Sequence, residues 1–128
     1  LPQSSNAFSS YAIQCQGNTD AAKQARFGNT TSVGKIKKIT VISHNEKYAP
    51  NFNLALGTEQ VVGVAVPSSM IAAESMTTTK DGTTYTTVYE PTEDVGFFAI
   101  YKNTTGALYF SEVIVEYVGL LRILIYNH

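Results

Sequence analysis

The sequence contains no tryptophan, a single cysteine and few charged side chains. The lone Cys15 can close no disulfide within this sequence and cannot supply a thiolate cage for a metal ion, so stability must come from a packed core. Nine basic against ten acidic residues give a net charge of −1, which argues against nucleic acid or an anionic membrane as a partner. The longest apolar run, residues 118–126, is interrupted by Arg122 and falls short of the ~20 residues that span a bilayer.

The composition favours one compact domain built from strands. The sequence has 128 residues, of which 44% are apolar and 15% charged, and these values are typical of a single globular domain. Threonine, serine, glycine, valine and tyrosine are abundant, and as a group they favour strands and turns. We therefore predict a single all-β domain over residues 1–128.

The first predicted strand lies near the start of the chain. Ile13 and Cys15 alternate with polar residues, so both side chains should point inward. The polar residues 17–34 follow as a long connection. Within it, Asp20 is placed to cap a short helical turn over residues 20–26.

The middle of the chain predicts three further strands and one ambiguous segment. Residues 36–43 form a strand whose apolar phase is restored by a bulge near residues 37–38. Residues 52–56 alternate as an amphipathic strand. The apolar residues 60–66 favour a buried or edge strand, and residues 68–76 are either a short helix or a loop.

The last third of the chain is the richest in strand signals. A turn at residues 81–82 leads into a strand over 83–89, and the apolar run 95–101 is typical of the middle of a sandwich. A hairpin loop with Gly106 at positive φ then connects to a partner strand over 108–118.

Strand number and turn spacing predict the fold class. The pattern indicates about eight strands in an antiparallel, two-sheet β-sandwich that is jelly-roll-like. On the strand over 108–118, Val113, Val115 and Tyr117 share one face, while Glu112, Ile114 and Glu116 share a face that should be at least partly exposed to water.

Three segments resemble a known group of proteins. They are residues 34–41 (GKIKKITV), 51–58 (NFNLALGT) and 97–113 (FFAIYKNTTGALYFSEV). The sequence over residues 7–118 resembles β-sandwich modules of secreted and surface proteins of the Bacteroidota, which often stand at the C-terminal end of larger chains. The resemblance implies an extracellular, jelly-roll-like accessory domain, similar in fold to galactose-binding-like modules and without catalysis.

Residues 119–128 depart from that pattern, because such modules usually end near residue 117. The segment reads as an additional C-terminal apolar strand, which needs a partner in its own sheet or in a neighbouring subunit. Contacts between subunits would then use Leu120, Leu121, Ile123 and Ile125. A structural, self-assembling subunit of a filament, pilus or virion is therefore the alternative interpretation.

No group of residues predicts an enzyme, a cofactor or a metal site. His44 follows a predicted strand and has the context of an ordinary loop histidine, and Cys15 has no basic neighbour that would lower its pKa. Glu93, Asp94 and Asp81 are turn acids whose spacing matches no EF-hand calcium loop. The basic residues Lys35, Lys37 and Lys38 are too few for a phosphate-binding stripe, and a solvated sheet face explains them better.

Tyrosines provide the candidate ligand surface. Exposed tyrosine can stack on a sugar ring or anchor a protein partner. Tyr85 and Tyr89 share a strand face, and Tyr48 and Asn51 lie in the loop before another strand. These four are the candidate binding residues, although the pattern favours core or cross-strand packing for Tyr85 and Tyr89.

Two N-glycosylation sequons fall in predicted loops. They begin at Asn29 and Asn103, and each continues with two threonines. Such short motifs arise by chance in a threonine-rich chain, so the sequence alone leaves their use open.

Together these features predict a non-catalytic, extracellular or cell-surface binding module. Its ligand would be a glycan or a protein. The alternative, a self-assembling subunit of a virion or extracellular filament, depends on the C-terminal strand.

Overall fold

Antiparallel strands make up most of the chain that the computed structural model describes, namely residues 13–44, 52–63, 70–71 and 75–119, with the backbone alone at 70–71. Ten strands lie within these ranges: β1 (Ile13–Gly17), β2 (Phe27–Gly28), β3 (Lys35–Ser43), β4 (Asn53–Gly57), β5 (Met70–Ile71), β6 (Thr77–Asp81), β7 (Thr84–Tyr89), β8 (Phe97–Tyr101), β9 (Gly106–Phe110) and β10 (Glu112–Val118). The predicted all-β class is therefore confirmed.

The strands are arranged in three antiparallel sheets. The front sheet has the order β10-β3-β7-β6, the back sheet the order β2-β8-β4-β5, and β1 pairs with β9 in a two-stranded ribbon. The backbone N–H of Ala25 donates to the carbonyl of Gln16 over 3.0 Å, which ties the residues before β2 to β1. The ribbon is an addition to the two sheets that the sequence predicts.

One hydrophobic core is shared by all three sheets. The front sheet contributes Ile36, Ile39 and Val41, the back sheet with its flanking residues contributes Phe52, Leu54, Leu56, Val95, Phe98 and Ile100, and the ribbon contributes Cys15, Leu108 and Phe110. Inward residues of facing sheets pack in this way in a β-sandwich. Alternation along the strands supplies these side chains, because every second residue points to the same face.

A bend at Ser111 carries the chain from the ribbon into the front sheet. The backbone N–H of Ser111 donates to the carbonyl of Ile42 over 2.8 Å. The hydroxyl of Ser43 donates to the carbonyl of Tyr109 over 3.0 Å. Strands that switch sheets through such bends form the corners of packed sheets, so β9 and β10 close one side of the structure.

Two local predictions on the backbone are confirmed. Glu116 pairs with Lys38, whereas Tyr117 pairs with Ile36, so Lys37 is the extra residue of the expected bulge. Gly106 has a φ of 108°, a conformation that glycine adopts without the strain of a side chain.

The expected helical turn is also present, in a tighter form. A 3-10 turn covers Ala21–Lys23, and the Asp20 carboxylate accepts a hydrogen bond from the backbone N–H of Ala22 over 3.0 Å. The carboxylate thereby satisfies a donor that a helix start leaves unpaired. The turn ends at Gln24, which has an extended conformation.

The hairpin predicted between residues 101 and 108 is wrong. The strand β8 pairs with β2 on one side and with β4 on the other, so neither edge of β8 remains for β9. The strand β9 instead pairs with β1 along its whole length. Residues 102–105 therefore connect two sheets.

Four further segments also differ from prediction. The short strand β2 and the edge strand β6 were not predicted, because neither carries an apolar alternation. Residues 60–63 form no strand and bend at 62–63, where a strand over 60–66 was predicted, and 64–66 lie outside the described residues. Met70 and Ile71 pair with β4, which excludes a helix at these two positions.

The strand β4 is buried on both of its faces, whereas its sequence predicts one wet face. Ala55 has no exposed surface and packs with Val61, Ala99 and Tyr101 in a second, smaller cluster. Residues after β4 fold back to form this cluster, so an alanine on the predicted wet face becomes part of a core.

Truncation of Leu54 tests the assignment of the central core. Leu54 has no exposed surface, so we expect Leu54→Ala to lower the free energy of unfolding by about 2–5 kcal/mol through lost burial and a cavity. Chemical denaturation followed by circular dichroism measures the change. Val118→Ala is the control, since a side chain that is 55% exposed should change stability by no more than about 0.5 kcal/mol. Equal effects of the two variants would contradict the assignment.

Candidate functional site

Exposed apolar surface is concentrated on one strand. Among the described residues, the large hydrophobic side chains that are exposed are Ile114, Tyr117 and Val118, at 39%, 54% and 55%. All three belong to β10. Single exposed apolar residues are common on protein surfaces, whereas a group on one element marks an interaction site.

The strand β10 is also an edge of the front sheet. One of its sides pairs with β3, and no strand within the described ranges pairs with the other side. An edge strand presents backbone N–H and C=O groups that an added strand can pair with. The exposed apolar side chains and the open backbone edge therefore coincide, and we call this combination the β10 edge.

Alternation along β10 separates packing from exposed residues as predicted as far as Glu116, whereas Tyr117, expected on the face of Val113 and Val115, is exposed. Val113 and Val115 are half-buried and pack against the core. Ile114 and Glu116 face the other side and are exposed. Glu116 lies opposite Lys38 of β3, so an adjacent cation offsets its charge within the sheet.

The opposite edge of the front sheet has a different chemistry. All five residues of β6 are exposed, and they are three threonines followed by Lys80 and Asp81. Charged and polar side chains at an edge discourage the addition of another strand. Of the two edges, only the β10 edge carries exposed large apolar side chains.

Tyr85 and Tyr89 share one face, as predicted, and it is the inward face. Tyr89 lies opposite Ile39 and Tyr85 opposite Ser43, and Ile39 and Ser43 are buried. Tyr89 is half-buried and packs against the core, so it fills the packing role that the sequence favours. Tyr85 is half-buried, with the Lys80 ammonium 5.6 Å from the centre of its ring.

Several residues named from the sequence lie outside the described ranges. They are the candidate ligand residues Tyr48 and Asn51 and the candidate contact residues Leu120, Leu121, Ile123 and Ile125. The described part of the predicted ligand surface is therefore Tyr85 and Tyr89. The structure brings these two together on β7, at the centre of the front sheet and away from the β10 edge.

Cys15 and His44, the residues considered as a nucleophile and a base, have different surroundings. Cys15 is 4% exposed within the core, and burial raises the pKa of its thiol. His44 is exposed just after β3, and its Nδ1 lies 3.1 Å from the hydroxyl of Thr84. Both positions agree with the ordinary structural roles that the sequence favours.

A half-buried cation over an aromatic ring was missed by the sequence analysis. The Arg26 guanidinium lies 5.6 Å from the centre of the Tyr101 ring and donates to the carbonyl of Val61 over 3.3 Å. Burial raises the pKa of Tyr101, and the Arg26 charge partly opposes that shift. Arg26 and Tyr101 lie beside the cluster around Ala55. Their described contacts indicate that they pack the back sheet against the residues that cover this sheet. No motif in the sequence marks the pair.

The described part of the chain contains neither a cluster of metal-ligating side chains nor a helix that could span a membrane. No group of three or more histidine, cysteine, aspartate or glutamate side chains there is arranged to hold a metal ion. None of the same residues forms a helix with the length and hydropathy needed to cross a bilayer.

Comparisons with known proteins return no relative. No protein-family model, curated protein or solved structure matches this chain. The β10 edge therefore carries the functional interpretation by itself.

Burial of Cys15 predicts a thiol with low reactivity in the native protein. Burial disfavours the thiolate and raises the pKa of Cys15, so the reactive thiolate fraction at a given pH below that pKa is lower than in the denatured chain. Iodoacetamide at mildly alkaline pH should alkylate the native protein far more slowly than the denatured chain, and the native rate should rise as the pH approaches the raised pKa. Mass spectrometry follows the reaction, and equal rates in the two states would contradict the burial of this thiol.

Proposed function

We propose that this chain is a non-catalytic, extracellular β-sandwich module that binds protein by adding a partner's strand at the β10 edge. The observation that carries the proposal is the position of Ile114, Tyr117 and Val118, which place exposed apolar surface along a strand whose outer side meets no other described strand. In strand addition, backbone hydrogen bonds supply affinity and alternate side chains supply specificity. The extracellular assignment is the expectation drawn from the resemblance of residues 7–118 to secreted Bacteroidota modules, and no comparison with known proteins adds to it.

The chemistry of the two surfaces favours protein over glycan as the ligand. Sugar binding needs an open aromatic face, but Tyr89 packs against the core and the Lys80 ammonium lies over the Tyr85 ring. The β10 edge carries one exposed aromatic ring, Tyr117, and its aliphatic side chains and backbone groups suit an extended peptide. A glycan ligand that uses Tyr48 or Asn51 remains a prediction.

Strand addition is tested directly by selecting binders from a library of random peptides that are displayed on phage. Peptides selected on the native protein should alternate apolar and polar residues, because successive side chains of an added strand point to opposite faces. Ile114→Lys should weaken their binding at least ~10-fold, since a lysine on an edge opposes strand pairing and ~10-fold corresponds to about 1.4 kcal/mol. Biolayer interferometry with the selected synthetic peptides measures the change.

A matched control separates the β10 edge from a general effect of charge. Thr79→Lys places the same ammonium on β6, the other edge of the same sheet. This variant should bind the selected peptides like the native protein. Equal weakening by both variants, or peptides without an alternating pattern, would overturn strand addition at β10.

Self-assembly is a second candidate, favoured by the spacing of the acids on β10. Two copies of β10 can pair antiparallel about a two-fold axis, so that the same surface patch of both copies forms the interface. An axis at Val115 places Ile114 opposite Glu116 and leaves no like charges directly opposite. An axis at Ile114 would place Glu112 directly opposite Glu116 of the other copy. An axis at Glu116 would place this residue opposite its own copy. Both registers bring like charges together, which is unfavourable.

Sedimentation velocity over a range of concentrations tests self-assembly through this register. We expect reversible dimers of the native protein, and Ile114→Lys should weaken dimerisation at least ~10-fold, or about 1.4 kcal/mol. Val115→Glu should do the same, because it opposes two carboxylates across the axis. A native protein that stays monomeric at all concentrations would refute this candidate and leave binding to other proteins untouched.

A further inference from the structure

The two sequons have the same motif and different surroundings. An N-glycan is attached to the side-chain amide nitrogen of asparagine in the motif Asn-X-Ser/Thr. The amide must therefore leave the folded surface and enter the transferring enzyme. Thr30, Thr31, Thr104 and Thr105 are all exposed, so exposure of the threonines does not separate the two motifs. The hydrogen bonds of Asn29 and Asn103 do.

Asn29 uses its whole side-chain amide to extend the pairing between β2 and β8. The Nδ2 group donates to the carbonyl of Gly96 over 2.8 Å and to the carbonyl of Thr31 over 2.9 Å. The Oδ1 atom accepts from the backbone N–H of Phe98 over 2.8 Å. A side-chain amide has two donor hydrogens, and both are engaged here.

The two residues before Asn29 hold its main chain close to β8. Gly28 lies so close to β8 that a Cβ atom there would overlap the carbonyl oxygen of Phe98. Phe27 packs edge-on against Phe110, with their ring centres 5.6 Å apart, and Phe110 is 1% exposed. The main chain that carries Asn29 is therefore fixed against β8 and the central core, and its side-chain amide stays beside the β8 backbone.

Asn103 lies in the opposite situation. It is exposed within residues 102–105, which connect β8 to β9. Its backbone N–H donates to the Oδ1 atom of Asn53 over 3.1 Å, which holds the main chain in place. The side-chain amide of Asn103 makes no hydrogen bond with the part of the chain that the structure describes, so it can leave the surface without breaking one.

We propose that Asn103 is the N-glycan acceptor site of this chain and that Asn29 is not an acceptor once the protein has folded. The donor would be an oligosaccharide linked to a polyprenyl diphosphate, used by an oligosaccharyltransferase. The Nδ2 atom forms a bond to C1 of the sugar, the bond from C1 to the diphosphate oxygen breaks, one amide proton passes to a base of the enzyme, and the polyprenyl diphosphate leaves.

The same bond change explains why the folded sheet opposes a glycan at Asn29. A glycosylated amide retains one hydrogen, whereas Asn29 donates two hydrogen bonds. Either Thr31 or Gly96 would lose its hydrogen bond from Asn29, so a glycan would weaken the contacts that hold this side chain beside β8. A glycan at Asn103 removes no such bond.

Transfer in vitro to the purified native protein tests the proposal. The protein is incubated with an oligosaccharyltransferase and a polyprenyl-diphosphate-linked oligosaccharide, and products are mapped by intact mass and glycopeptide mass spectrometry. We expect one glycan, at Asn103, which Asn103→Gln and Thr105→Ala each abolish. Two synthetic peptides, residues 25–35 and 99–108, serve as controls that carry each sequon without the fold, and both should be modified.

Each other outcome contradicts the proposal. Modification of native Asn29 at the rate of its peptide would show that the three hydrogen bonds give no protection. A native protein left unmodified at Asn103, while the peptide of residues 99–108 is modified, would show that the loop does not admit the enzyme. Circular dichroism before and after the reaction confirms that the tested protein is folded.

Discussion

The bend at Ser111 is the constraint on which the rest of the structure depends. One continuous stretch of chain pairs with β1 before the bend and with β3 after it, and Ser111 itself donates to Ile42. The ribbon and the front sheet therefore cannot move apart without breaking strand pairing. The bend also directs Leu108 and Phe110 into the core while β10 proceeds along the outer side of β3.

Both proposed surfaces follow from that arrangement. Because β10 turns away from the ribbon and lies beside β3, it becomes the last strand of the front sheet, and its outward residues meet no further described strand. Because β8 is held between β2 and β4, residues 102–105 must cross from one sheet to another at the surface. Asn103 is exposed there. Asn29 lies beside the β8 backbone instead, and its side-chain amide makes hydrogen bonds that extend the pairing of β2 with β8.

Local residues were sufficient for the local features. The inward position of Val113 and Val115, the bulge at Lys37, the cap at Asp20 and the positive φ of Gly106 were all predicted from spacing and residue type. Each depends on neighbours within a few positions, where alternation and side-chain chemistry act directly on the backbone.

The candidate site was predicted only in part. Exposure of the face with Ile114 and Glu116 was foreseen, but the named ligand residues Tyr85 and Tyr89 turned out to face inward.

The sequence by itself determined the strand class, the shared faces and the turns of this protein. Tertiary structure alone decided which strand pairs with which, and so placed β9 beside β1, buried Ala55 and made β10 an edge. The physical reason is that pairing uses backbone groups that every residue carries, so the sequence of one strand does not identify its partner. The two sequons are the clearest case, because identical motifs differ only in what the folded chain brings against each asparagine.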